Sequence, residues 1–440
     1  MTELKENLVS KHLIFREKYS KIEWMEPTRQ EAIEFFDKKG FPQRKDEEWR
    51  FTNLNPLLKA DYKLFPEEDE IPVSMDDLKK YFVSSIDSYN IVFINGVYNS
   101  FLSNTTHQEG DICVLSCAME KMIHQPVIEN YYNKIAPKDE SFVSLNTAFS
   151  KDGAYIYIPD KTILSKLVQL MFFSTAKEEE VMYHPRNLIV IGNHAQAQII
   201  ERHQTLNSKA NLTNSVTEIH VGKNSELDYY KLQNDAVEAS LIDNTYISQD
   251  RDSVASVHTF SFGGKLTRNN LNFVQNAENS NSILNGITII SDKQHVDHHT
   301  LVDHRAPHCD SHELYKGIYD GESHGVFNGK IFVHADAQKL NSFQQNNNVL
   351  LTDKAEIDTK PQLEIFADDV KCSHGCTIGQ LDDNAMFYMQ QRGIPTKEAK
   401  ALLLYAFASE VLEHVKIPQI KKRITTLIAS KLNVNMEFEL

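Results

Sequence analysis

The sequence predicts a mainly β protein whose central strands are flanked by helical segments, and three observations lead there. Apolar residues at helical spacing fill roughly the first sixty positions and return after Leu381. From about His184 to Ile378 the texture is instead one of short apolar runs, among them Leu188 to Ile191, Leu227 to Leu232, Val257 to Phe262 and Val326 to Val333, each bounded by polar or glycine-containing corners. No amphipathic helix fits between those runs, which argues against alternating strand and helix units and a doubly wound sheet.

The elements follow in order. Leu4, Leu8, Ile14 and Phe15, then Ala32, Ile33, Phe35 and Phe36, give helices that Gly40 and Pro42 stop. Ile91 to Ile94 run into Asn95-Gly96 and then Val97-Tyr98, the two-residue signal for a hairpin with a type I′ turn. These residues make 1–180 a helical and mixed N-terminal region, ahead of a β core over 181–380. Within the core, small or polar corners recur at Gly192 to Ala195, Gly222 to Ser225, Asn276 to Asn279, Asp320 to Ser323 and Thr352 to Ala355. Spacings of about 20 to 45 residues suit one or two turns of a β-solenoid whose rungs stack into a continuous core. A Greek-key sandwich shows similar runs, so periodicity alone leaves both architectures open. The polar run Gln344 to Asn348 reads as a corner whose amides bond to successive rungs.

The segment 381–440 reads as helical. Asp382 or Asp383 caps a helix carrying Ala385, Met386 and Met389, and Gly393 stops it. Thr396 after Pro395 caps a second helix with Ala399, Leu402, Leu403, Ala406, Phe407 and Val411 on one face. Such a tail serves as a lid on the open end of a solenoid or as a docking surface.

Composition narrows the function classes. Across 440 residues, 46 Lys and Arg face 61 Asp and Glu, a formal charge of -15. A surface that acidic repels phosphate backbones and anionic membranes unless its basic residues form one patch, and none is visible, so nucleic acid and membrane are not expected partners. Hydrophobic residues at 41% and charged residues at 24% belong to a folded globular chain. The start has no uninterrupted apolar run of the signal-peptide kind, and no stretch approaches the roughly 18 apolar residues of a membrane span, so a cytoplasmic location is expected. Five cysteines, an odd number spread over a long chain, do not make a secreted disulfide framework and leave thiols for metal or sulfur chemistry.

Two constellations could carry chemistry. In KCSHGCTIGQ, residues 371 to 380, Cys372, His374 and Cys376 stand at i, i+2 and i+4, which on a strand share one face. Two thiolates and an imidazole suit iron, zinc or an iron-sulfur species. The competing reading is of buried core thiols, the commoner fate of a free cysteine, with Gly375 breaking the strand. The second constellation is His295, His298, His299, His304, His308 and His312, with Cys309 and Asp297, Asp303 and Asp310 among them. Pro307 interrupts any single strand there, and even and odd histidines face opposite sides, so a polar solenoid surface competes with a metal site. Cys113 and Cys117 form a lone C-x3-C pair and read as semi-buried thiols. Gly263-Gly264-Lys265 lacks phosphate-loop spacing, and neither a G-x-G-x-x-G nor a G-x-S-x-G motif occurs, which removes the ATPase, Rossmann and ordinary hydrolase readings.

Longer strings resemble a known family. VDHHTLVDHRAPHCDSHELYKGI from Val296 to Ile318, GVFNGKIFV, TKPQLEIFADDVKCSHGCTIGQLDD and FYMQQRGI resemble the SufB/SufD family of iron-sulfur cluster assembly proteins over roughly the last 260 residues. The opening FPQRKDEEWRFTNL, Phe41 to Leu54, resembles its SufD branch. The resemblance implies a right-handed parallel β-helix core and a non-catalytic scaffold in a complex with a SufB-like paralogue and a SufC-like ABC ATPase, which supplies the ATP hydrolysis. It further implies that His374 is a transient metal ligand, completed by the partner, at a cluster-assembly site facing SufB, with Cys372 two positions before it. Cys376 stands where the family usually has a small residue, so it is either a bystander or an added thiol ligand. The C-terminal helices match the segment that docks SufC, which makes Met386, Phe387, Met389, Leu402, Leu403 and Phe407 the candidate docking residues. An iron-sulfur cluster is expected transiently in the complex and none stably on the isolated chain, which pairs with SufB or, purified alone, with a second copy. A flavin in the complex stays open, with no residue pattern in this chain to support it. The alternatives are a zinc-dependent metalloenzyme built on residues 295–312 and a sugar-binding β-helix, whose groove of aromatics and paired Asp residues the sequence does not show.

Overall fold

A computed structural model describes residues 3–19, 22–64, 73–83, 85–175, 180–207 and 211–432. The end of the helical tail, 433–440, lies outside them. Its body is a parallel β-solenoid of about eight turns, which decides between the two architectures left open by the sequence. The chain crosses between two sheets strand by strand. Arg186–Ile191, Asn211–Val221, Ser240–Gln249, Leu266–Gln275, His295–His304 and His324–Val333 stack in one sheet. Gln196–Thr205, Glu226–Gln233, Val254–Ser261, Asn281–Ile290, Asp310–Tyr319, Leu340–Leu350 and Val370–Gly379 stack in the other. Each strand pairs in parallel with one a turn away, at a step of about 30 residues: Val216 lies opposite Arg186, and Glu226 opposite Gln196. Parallel pairing begins upstream of residue 181, since Ala154–Ile158 pairs with Arg186–Ile191, and Ser88–Ile94 and Leu167–Ser174 lead into Gln196–Thr205.

Alternation along each strand sends every second side chain inward. Ile189, Ile219, Ile247, Phe273 and Val302 form one such column, facing Ile199, Tyr229, Val257 and Leu284 from the other sheet, all buried. At about 1.5–3 kcal/mol for each large side chain buried, these columns are the main source of cohesion.

The corners carry a second repeat. Lys161, His194, Asn224, Asp252, Asn279, His308 and Lys339 all adopt positive φ, between 53° and 62° except Asn279 at 63°. Each donates its backbone N–H to a carbonyl of the following turn, as from Asn224 to Arg251 at 3.0 Å and from His308 to Gln338 at 3.0 Å. Asn and Asp tolerate this left-handed conformation because their short polar side chains offset its steric cost. The expected I′ hairpin is present, with Asn95 at φ 50° and Gly96 at φ 75°. Gln344 to Asn348, expected at a corner, lies inside a strand instead. Gln344, Asn346 and Asn348 point inward and are buried, a lumen lining that strand propensities disfavour.

Helices cover both outer faces. Glu3–Tyr19, Glu26–Lys39 and Ser141–Phe149 pack Leu8, Phe15, Phe36 and Phe142 over Leu212, Ile242 and Leu266. On the opposite sheet Thr396–Leu412 and Pro418–Lys431 pack Leu404, Val411, Ile424 and Ile428 over Tyr230, Phe260, Ile287 and Ile318. The Asp382 carboxylate caps Asp383–Gln391 by accepting from the Asn384 N–H at 2.8 Å, and Gly393 at φ 83° follows that helix. Thr396 is the first helical residue and makes no side-chain cap. Among the described residues no helix is long and apolar enough to cross a membrane.

The corner geometry makes a first prediction. Asn224→Val, at an exposed αL position, is expected to lower the unfolding free energy by about 1–2 kcal/mol, whereas Asn224→Gly should be close to neutral. Urea denaturation followed by circular dichroism measures this, and equal midpoints for the two variants would show that the corner does not enforce the conformation.

Candidate functional site

Among the described residues, Val370–Gly379 is the last strand of its sheet, paired on one side with Leu340–Leu350 and unpaired on the other. The register sets Cys372 opposite Ser342, His374 opposite Gln344, Cys376 opposite Asn346 and Ile378 opposite Asn348. Since Ser342, Gln344, Asn346 and Asn348 are buried and inward, Cys372, His374 and Cys376 share the lumen face at the open end. The strand runs straight through Gly375, where an added Cβ would meet nothing within 4 Å. Cys372 is half-buried, and burial pushes its thiol pKa up; His374 and Cys376 are exposed. The Cys376 thiol donates to Thr359 Oγ1 at 3.0 Å.

Beneath His374 the inward column changes character. Ile199, Tyr229, Val257 and Leu284 are followed by Glu313, Gln344 and His374 as the lumen nears its end. Gln344 Nε2 donates to Glu313 at 2.7 Å, and burial raises the Glu313 carboxyl to about 7. Two thiols and an imidazole at an open rim, above a carboxyl that exchanges protons near neutrality, can bind a soft or borderline metal and leave positions for ligands from another chain. Glu313 and Gln344 escape a motif search. Their signal is the 30-residue step of the solenoid back from His374, which only the register exposes.

The histidine-rich segment does not converge. His298 and His304 point into the lumen, His295 and His299 point out, His308 sits on a corner and His312 lies exposed on the other sheet. His298 is held between Asn269 at 3.3 Å and the Thr288 hydroxyl at 2.8 Å, and His304 Nε2 meets Ser311 at 3.0 Å. Burial lowers both pKa values to about 4, so both are neutral core residues. The zinc-enzyme alternative therefore lacks a common site for these six residues.

The outward residues of that strand have another task. Arg268 pairs with Asp297 at 2.5 Å, donates to the Glu48 carbonyl at 2.8 Å and lies over the Trp49 ring at 4.3 Å. Thr52 donates to Asp297, and Glu48 meets His299 at 3.0 Å. The segment Phe41 to Leu54 is thus a clasp that ties the N-terminal region to the solenoid, and Arg268 is a residue the sequence reading did not single out.

The six C-terminal candidates are divided. Phe387 is 62% exposed, and Met386 and Met389 lie on the same helix, which fully buries none of its residues. Leu402 and Leu403 are half-buried, and Phe407 sits under the Lys316 ammonium at 4.6 Å, engaged by its own solenoid.

A helix-covered parallel solenoid that ends on an exposed thiol–imidazole strand is a scaffold in form. The sequence model of the SUF-system iron-sulfur assembly SufBD core domain matches residues 172–407, and that of the SufBD N-terminal region matches 10–170. An iron-sulfur cluster assembly SufBD family protein of Synechocystis sp. is 31% identical over 411 residues, 92% of this chain and 90% of that protein. The iron-sulfur cluster assembly protein SufD of Escherichia coli K12 is 30% identical over 408 residues, 92% and 93% of the two chains, and SufD of Bacillus subtilis is 24% identical over 432 residues, 95% and 96%. The chain belongs to the SufBD family of iron-sulfur cluster assembly proteins.

The neutral lumen histidines make the stability of the solenoid depend on pH. A histidine whose folded pKa is lowered contributes stability above the unfolded value of about 6.5 and loses it as pH falls toward the folded value. For His298, lowered to about 4, the loss from pH 7 to pH 5 is about 2 kcal/mol. His298→Gln should therefore unfold with a visibly weaker pH dependence over that window in urea titrations; an unchanged slope would place the acid sensitivity elsewhere.

Proposed function

We propose that the chain is a SufD-like, non-catalytic scaffold subunit that supports iron-sulfur cluster formation at its junction with a SufB-like paralogue and docks a SufC-like ABC ATPase. The observation that carries this reading is the unpaired edge of Val370–Gly379, where Cys372, His374 and Cys376 line one face. An edge strand offers free N–H and C=O groups that a second solenoid can pair, and pairing would bring a partner's ligands to the same rim. One chain supplies too few convergent ligands to close a cluster site, so the cluster belongs to the assembled pair. His374 supplies an imidazole to the nascent cluster, and Glu313 takes up or returns a proton beneath it. Without the paralogue, a second copy of this chain occupies the same edge.

For the ATPase, the free surface is the helix Asp383–Gln391. Met386, Phe387 and Met389 seat in a groove of the partner, with Leu402 and Leu403 at the margin, while Phe407 supports the helix from the solenoid side.

In the co-expressed complex, His374→Ala is expected to leave folding and assembly intact and to lower the iron-sulfur chromophore formed on reconstitution by about tenfold. Normal cluster yield from that variant, with loss on changing His298 instead, would overturn the assignment. Phe387→Asp with Met389→Asp should abolish co-purification of the ATPase while the far-ultraviolet dichroism stays unchanged; retention of the ATPase would remove the docking role from this helix.

A further inference from the structure

At the opposite end of the solenoid, three side chains from separate local elements meet. His107 lies in the turn before the strand Asp111–Val114, Asp111 opens that strand, and His124 closes the 3-10 turn Met122–His124 beyond the helix Leu115–Met119. The strand is held antiparallel to Ala154–Ile158 with Ile112 and Val114 in the core, so the carboxylate stands on rigid backbone. His107 Nδ1 is 2.8 Å from Asp111 Oδ1, and His124 Nδ1 is 3.5 Å from Asp111 Oδ2. The ligating atoms of all three residues lie within 4.8 Å of one another.

We propose that His107, Asp111 and His124 form a divalent-metal site, with zinc the ion its donors suit. Tetrahedral zinc with donors at about 2.0–2.1 Å sets ligand atoms about 3.3 Å apart. His107 Nδ1 lies 2.8 Å from one carboxylate oxygen, at hydrogen-bond length, and His124 Nδ1 lies 3.5 Å from the other, close to that value and longer than a good hydrogen bond. Two imidazoles and one carboxylate are a donor set zinc takes with water in the fourth position. Access for that water is present, because the His107 side chain is 46% exposed and that of Asp111 24%, while His124 is buried behind them. A second observation points to the same place. Tyr155 is fully buried, its ring centroid lies 5.1 Å from that of His124, and among the described residues its hydroxyl has no hydrogen-bond partner. That phenol is near enough to Asp111 for the carboxylate charge to add to the burial that raises its pKa. The ion would tie the turn before Asp111–Val114 to the 3-10 turn, remote from the Cys372–His374–Cys376 rim.

The test uses the full chain carrying Cys372→Ser, His374→Gln and Cys376→Ser, so that the rim does not bind the probe, after removal of metals with a chelator. One equivalent of Zn2+ should bind in competition with a chromophoric chelator and raise the melting temperature. Co2+ should give a visible d–d spectrum without a thiolate charge-transfer band. His107→Gln, at an exposed position that leaves the fold intact, and Asp111→Asn should each weaken Zn2+ binding by more than about tenfold and abolish the thermal shift. Zn2+ binding and thermal shift unchanged in His107→Gln, or no Zn2+ uptake by the parent, would overturn the site.

Discussion

A stack of parallel rungs satisfies its backbone hydrogen bonds everywhere except at its two ends, and that constraint organises this molecule. At the N-terminal end the antiparallel strands Val97–Tyr98 and Asp111–Val114 close the two sheets. At the other end Glu356–Thr359 and Gln362–Ile365 finish one sheet and Val370–Gly379 the other, and the last strand keeps one edge free. The cysteines and the histidine at 372 to 376 stand on that edge, so the groups suited to cluster chemistry and the groups suited to pairing with another chain are the same ten residues.

The lumen is more polar than a stability argument alone would choose. Midway along it Lys231 lies 2.6 Å from Asp243 and 3.4 Å from Glu201, with the Tyr229 hydroxyl and His203 also on Glu201. Two carboxylates against an ammonium and a histidine whose pKa is raised by Glu201 compensate one another, which is the condition for burying charge at all. Near the rim, hydroxyls, amides and Glu313 replace the aliphatic column. The lumen is thus polar both at this charge cluster and near the rim, while the aliphatic columns between supply the cohesion.

Long-range clasps fasten the helical layer to the solenoid. Glu218, buried and paired with Arg186 at 2.7 Å, accepts the backbone N–H groups of Asn133, Lys134, Ile135 and Ala136. Arg268 and Asp297 play the corresponding part for Glu48, Trp49 and Thr52. Both clasps stand on outward faces of one sheet, so the N-terminal helices add stiffness there without touching the free edge.

Much of this was legible from residue order. The change from helical to strand texture, the corners at Asn193-His194 and Asn224, the Asn95-Gly96 turn and the Asp382 cap are local signals, set by backbone sterics and nearest neighbours. The strand period alone also placed Cys372, His374 and Cys376 on one face. Other features depend on which turn lies over which. Gln344 to Asn348 looked like a corner because amides are poor strand formers, yet the polar lumen accepts them. Six clustered histidines suggested a shared site, but a strand's alternation and a corner at Pro307 send them to the core, the surface and two different sheets. The joining of Glu313 to His374, of Arg268 to Trp49 and of His107 to His124 was decided by the tertiary structure, because parallel register and helix packing bring together residues whose spacing in the chain carries no local energetic signal.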